Sequence, residues 1–189
     1  MALGMPGIAK ATAAARSTDA GPPEELVARA MAAFRRHRDQ ITATDVIGIA
    51  DYAAHSRLPR FHILDPVGGR SQTLLVAHGR GSDPAHSGFV QQFSNRPGSA
   101  ASSSGAYLAA NRYAGSHGES RRLEGLDPQN SNAMDRAIVI HPAWYVGPDI
   151  VARQGKLGRS EGCFAFSESD IGSVLNRLGE GHLIYADKI

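Results

Sequence analysis

The sequence predicts a mainly β domain with one helix at its front and a short helix near its end. Three observations predict it. Five short runs rich in Val, Ile, Leu and aromatics follow residue 44, each bounded by Gly, Pro, Asp or Asn, as strands are. A single amphipathic stretch precedes them. A second helical face appears only after residue 167.

The elements follow in chain order. Residues 1–21 are rich in Ala, Gly and Ser without an apolar period, and are expected to be a flexible tail. Residues 22–44 are expected to hold the front helix. Pro22 and Pro23 introduce EELVARAMAAFRRHRD, in which Leu26, Ala30 and Phe34 repeat every fourth residue beside Val27 and Met31. Glu24 and Glu25 in its first turn and Arg35, Arg36 and Arg38 in its last suit the helix dipole. The RRHR run is expected to be a solvated helix end. DVIGIAD, RFHILD, SQTLLVAH, RAIVIH and HLIYAD are the expected strands, with PVGG joining the second and third as a hairpin. Residues 79–120 carry much Gly, Ser and His with little periodicity and read as a long loop-rich stretch. Ser167 and Asp170 form an S-x-x-D capping signal. Ile171, Val174, Leu175 and Leu178 form the face of the last helix, which Gly179 can end. The main domain is expected to run from 45 to 189.

Composition excludes several classes. The 189 residues carry 20 basic and 18 acidic side chains, a net charge of +2, so nothing points to nucleic acid as a partner. One cysteine excludes an intrachain disulfide and any multi-cysteine zinc site, and with no H-E-x-x-H among the eight histidines no metal is expected. No resolving thiol supports a redox sensor. No run reaches the roughly 20 apolar residues of a membrane span. The first residues lack a continuous apolar stretch, so no intact signal peptide is read there.

The chemistry gathers around Cys163, in GKLGRSEGCFAFS. Gly155, Gly158 and Gly162 crowd the approach, and the apolar FAF follows. A glycine-rich turn running into a strand leaves a thiol accessible and backbone N–H groups free to face a ligand, with Gly162 and Cys163 as candidate oxyanion donors. The alternative is an inert buried cysteine. His141 closes the run RAIVIH and precedes Pro142. A histidine at a strand end beside a loop is a candidate base for a thiol.

IVIHPAWYV followed by GRSEGCFAFS resembles the catalytic signature of YkuD-type L,D-transpeptidases. VAHGRGSD, FSNRPGSAASSSGAY and GSHGES with RRLEGLD complete a resemblance, from about Asp45 to the C-terminus, to the murein L,D-transpeptidase catalytic domain branch. The resemblance implies a YkuD-like β-sandwich or barrel. It also implies Cys163 as nucleophile, His141 as base, peptidoglycan stem peptides as donor and acceptor, no cofactor, and a periplasmic or exported location. The sequence departs from the usual His, gap, Ser/Thr-His-Gly-Cys pattern. Glu161 stands where the second histidine would be, the stretch from His141 to Cys163 is longer, and Phe164 and Ala165 replace a following arginine. These departures fit a divergent branch associated with 1-3 linkage, from L-Ala to the diamino acid, rather than the commoner 3-3 linkage. Arg159 is a candidate to supply the missing cation. Ser160, Ser104, Tyr107, His117 and His78 are the remaining candidates for substrate contact. Two other readings compete with cross-linking: carboxypeptidase or endopeptidase action on stem peptides, and a non-catalytic peptidoglycan-binding module.

Overall fold

A computed structural model describes residues 21–189. The expected tail, apart from Gly21, lies outside the described residues. The helix α1 (Glu24–Arg36) is followed by β1 (Ile47–Asp51), β2 (Phe61–Leu64), β3 (Ser71–Leu74) and a 3-10 turn at Arg80–Ser82. Then come β4 (Gly105–Gly115), β5 (Gly118–Gly125), β6 (Val139–Pro142), α2 (Pro148–Gln154), β7 (Phe164–Phe166), α3 (Ile171–Arg177) and β8 (Leu183–Asp187). Among the described residues the strands form one sheet in the order β3-β2-β1-β8-β4-β5-β6-β7. The mainly β expectation therefore holds. The chain leaving β3 bridges to β7, where the Ala77 N–H donates to the Ala165 carbonyl at 3.0 Å. That bridge brings the two edge strands together and curls the sheet.

Strand alternation sorts the side chains into an inside and an outside. Ala50, Phe61, Ile63, Tyr107, Ala109, Phe164, Phe166 and Ile184 share one buried cluster. Alternate residues of the same strands, Ile47, Ile49, Ala106, Leu183 and Tyr185, face the other way and meet Leu26, Ala30 and Ala33 of α1. The fourfold spacing read from the sequence is thus the face α1 lays on the sheet. Gly48 points inward, where a Cβ would come within 2.8 Å of the Phe61 ring.

Three expectations need correction. Residues 79–120 are not all loop: β4 and the start of β5 fall within them, joined by a two-residue turn at Ser116 and His117. The hairpin projects past the sheet, so its outer half is exposed and lacks the apolar alternation that marks a strand. Residues 37–44 do not continue α1. His37 ends the helix, and the Ile41 carbonyl accepts from Arg38. The RRHR end is not simply solvated either, because Arg36 and His37 both reach Asp127 Oδ1 at 2.9 Å.

Asp127 ties α1 to the sheet, since its other carboxylate oxygen accepts the Ala106 N–H of β4 at 2.8 Å. Burial pushes its pKa up, but the Ala106 N–H, His37 and Arg36 together outweigh burial and hold it below the ordinary value. A depressed carboxylate adds stability above its unfolded pKa and loses it as pH falls through the folded one. Asp127→Asn is expected to cost about 2 kcal/mol at neutral pH. Thermal melts should show variant and wild type converging as pH falls below the ordinary carboxylate value of 3.8.

Candidate active site

β6 and β7 run parallel, with Ile140 opposite Phe164 and His141 opposite Ala165. A parallel pair needs a crossover. α2, which the sequence did not reveal, supplies it. Pro148 opens this helix and Gly155, at φ +71°, closes it. Phe164 and Phe166 anchor β7 by edge contacts, to Tyr107 at 5.3 Å and to Phe61 at 4.8 Å. With those rings inside, alternation turns Cys163 and Ala165 to the opposite face. His141, flanking the inward Ile140, lies on that same face. The imidazole is therefore on β6 and the thiol on the residue just before β7, two positions short of the Ala165 that faces His141. Both open into a cleft of about 790 Å³.

His141 is buried, at 3% exposure. Its Nδ1 lies 2.8 Å from the Pro142 carbonyl. A carbonyl only accepts, so Nδ1 carries the proton and Nε2 keeps the lone pair. Burial lowers its pKa, the Pro142 carbonyl opposes that, and His117 adds to the fall. His117, at the tip of the β4–β5 hairpin, stacks on His141 with ring centroids 4.5 Å apart. The Cys163 thiol donates to the Ala137 carbonyl at 3.5 Å. Burial pushes its pKa up. The Val139 N–H and the Arg136 charge pull it back, and Glu161 adds to the rise.

The turn before Cys163 is tightly held. Ser160 Oγ donates to the Cys163 carbonyl at 2.7 Å and accepts the Gly162 N–H at 3.2 Å. Gly162 has φ +119°, and a Cβ there would meet the Ala101 carbonyl oxygen at 2.7 Å. The Gly162 N–H is thus spent inside the turn. That corrects its expected place in an oxyanion hole and leaves the Cys163 N–H as the backbone candidate. Ser160, at 4% exposure, braces the turn and also borders the cleft.

The other candidates separate. His117 lines the cleft, as do Arg159 and Glu161. Arg159 Nη1 donates to the Asp83 and Pro84 carbonyls, so part of its fork is used in anchoring its own loop. Glu161 is exposed and pairs with Arg80 at 3.0 Å. His78 is not a groove residue. It is 1% exposed, takes a hydrogen bond from Arg60 at 2.6 Å on Nδ1, and is pushed down to about 3 by burial and the Arg60 charge. Tyr107 lies in the core, donating to the Ser103 carbonyl at 2.9 Å. Ser104 opens into a different depression, beside Arg36 and Asp127. Among the cleft residues that escaped the sequence are Tyr145 and Arg136. Tyr145 keeps its proton, burial and the nearby Cys163 and Glu161 pushing it up to about 12. Arg136 stood in a run read only as a strand. The aromatic after HPAW was the one sequence signal for Tyr145.

A family model described as the L,D-transpeptidase catalytic domain matches residues 20–186. The chain belongs to that family. Among solved structures, an L,D-transpeptidase from Mycobacterium tuberculosis is 15% identical over 76% of this chain and 57% of its own length, with a TM-score of 0.48. One from Mycobacterium smegmatis is 15% identical over 76% of this chain and 58% of its own, with a TM-score of 0.46. One from Xylanimonas cellulosilytica is 12% identical over 77% and 62%, with a TM-score of 0.44. The chain therefore spans about six-tenths of the length of these structures. No curated protein matches it.

The glycine turn gives a direct test. Gly162→Ala combines a positive φ with a backbone clash and is expected to cost about 2–4 kcal/mol. Gly155→Ala, at φ +71° with nothing within 4 Å of its Cβ, meets only the backbone strain, about 1 kcal/mol. Equal losses in thermal melts would show that the close approach at Gly162 is unimportant.

Proposed function

We propose that this chain cross-links peptidoglycan stem peptides through a thioester on Cys163. The observation that carries the reading is the shared face of Cys163 and His141 at paired strands, opening into one cleft, in a member of this family. His141 Nε2 takes the thiol proton. The sulfur then attacks the donor carbonyl, and charge develops on its oxygen. The Cys163 N–H and the Tyr145 hydroxyl are the donors for that oxygen. Collapse breaks the peptide bond, and the leaving amine takes the proton from His141. The side-chain amine of an acceptor's diamino acid attacks the thioester and gives its proton to His141, and the released sulfur takes it back. Water in place of the amine gives hydrolysis.

Glu161, in place of the usual second histidine, supports 1-3 linkage over 3-3, in line with the divergent branch the sequence resembles. The substrate sets the location: such an enzyme works outside the cytoplasmic membrane, in the periplasm or beyond. Among the described residues no helix is long and apolar enough to cross a membrane.

Cys163→Ala is expected to lose acyl-enzyme and muropeptide dimers together, and His141→Gln to slow acylation by about 10²–10⁴-fold. Mass spectrometry of muropeptides, with fragmentation of the dimers, reads product and linkage. Dimers made by Cys163→Ala would overturn the proposal, and shortened monomers alone would assign hydrolysis. Because His141 sits below its ordinary 6.5, the acidic limb of acylation should fall below that value. An acidic limb above it would remove His141 as the base.

A further inference from the structure

We infer that Arg136 is a positioning residue for the nucleophile: its guanidinium is the fixed cation that makes the half-buried Cys163 sulfur ionisable. The inference rests on Cys163 being the nucleophile and adds the group that governs its charge.

The geometry begins with the chain itself. Ala137, the next residue, holds a left-handed backbone at φ +51°, and its carbonyl is the acceptor for the thiol. The guanidinium folds back over the loop at 94–103. Nη1 donates to the Ser94 carbonyl at 2.7 Å and to Ser103 Oγ at 2.6 Å, and Nη2 to Ser99 Oγ at 3.2 Å and to the Ala101 carbonyl. A Cβ on Gly162 would come within 3.2 Å of that same Nη2. The cation thus lies against the residue before Cys163. Its acceptors are all neutral, and no carboxylate pairs with it among the described residues. Its charge is therefore uncancelled where it faces the cleft.

The other groups around the sulfur do not supply that charge. Glu161 is negative, but Arg80 pairs with it in solvent, where screening weakens both. Asp135 also borders the cleft and adds negative charge. Arg159 also has only neutral acceptors and lines the cleft, but its Nη1 is held at the Asp83 and Pro84 carbonyls, whereas Arg136 is the cation that lies against Gly162. His117 and His141 stack, and charging both rings would set like charges face to face. Tyr145 at the cleft and Tyr52 and Tyr107 beneath it keep their protons, because burial pushes all three up. A half-buried sulfur, partly withdrawn from water, is easier to ionise beside a fixed positive charge. Arg136 fills that role.

The test is the pH dependence of Cys163 alkylation by iodoacetamide in the full chain, for wild type, Arg136→Lys and Arg136→Gln. Gln is expected to slow alkylation at neutral pH about tenfold and to raise the titration midpoint by about one unit, while Lys keeps most of the wild-type rate. An unmoved midpoint in a folded Gln variant, or equal losses in Lys and Gln, would reduce Arg136 to a clamp on its loop. Wild type alone gives a second reading that needs no variant to fold. An uncancelled cation draws an anionic reagent, so the iodoacetate to iodoacetamide rate ratio should exceed that of free cysteine. A ratio at or below free cysteine overturns the inference. Alkylation reads the thiol whether or not the chain makes cross-links, so the two proposals fail separately.

Discussion

Three loops touch backbone to backbone beneath the thiol, and the site depends on that seam. The segments at 79–81, 99–101 and 160–162 come so close that side chains are excluded from the contacts. A Cβ on Gly79 would lie 2.8 Å from Gly162 Cα, and one on Gly81 would lie 2.0 Å from the Ser99 carbonyl oxygen. The approach satisfies the loops' own polar groups. The Arg80 N–H reaches the Ser160 carbonyl at 2.8 Å, the Gly81 N–H the Ala100 carbonyl at 2.9 Å, and the Ser160 N–H the His78 carbonyl at 2.9 Å. Loops so bonded need no regular structure to be rigid. The glycines that made 79–120 look like a flexible stretch are what lets part of it pack as a floor.

On that floor, opposing effects set the electrostatics. Burial drives both partners toward neutrality, the thiol up and the imidazole down. A neutral pair is inexpensive to bury, whereas the charged pair that the proposed reaction would form is not. On the proposed mechanism, donors and a cation already in place would limit the cost of charging the sulfur, so little would have to reorganise as the proton moves. Behind the floor, Arg60 is fully buried and held by the Ala54 and Val76 carbonyls and by His78. His78 carries no charge there, and its task is to hold the wall.

What the sequence revealed and what it hid divide along physical lines. Cys163 and His141, which line one cleft, stood out in the sequence because each sits where an apolar run meets a turn. β1, β2 and β8 were legible because their buried faces are apolar. The β4–β5 hairpin was hidden because it leaves the sheet, and with it went the register of the whole middle of the chain. Without that register Tyr107 could not be seen to point inward, nor Ser104 to open beside α1. Arg136 was hidden differently. Its placement comes from neutral acceptors on a loop more than thirty residues earlier in the chain, and no local pattern records that.

The departures from the usual motif also have a structural meaning. The stretch between His141 and Cys163 is long, yet a longer connection need not disturb the site. Pairing of Ile140 with Phe164 sets the offset of thiol and imidazole, and α2 takes up the extra chain on the outside. Loop length adds entropy slowly, roughly 0.6 kcal/mol per doubling, so such an insertion is tolerated where strand pairing decides geometry. Glu161 is a different kind of change. It leaves the strands alone and puts a carboxylate, tied to Arg80, where the usual motif has an imidazole. The first departure changes the path of the chain and keeps the chemistry. The second keeps the path and changes what an incoming amine meets, which is where a difference in acceptor between branches of one family would arise.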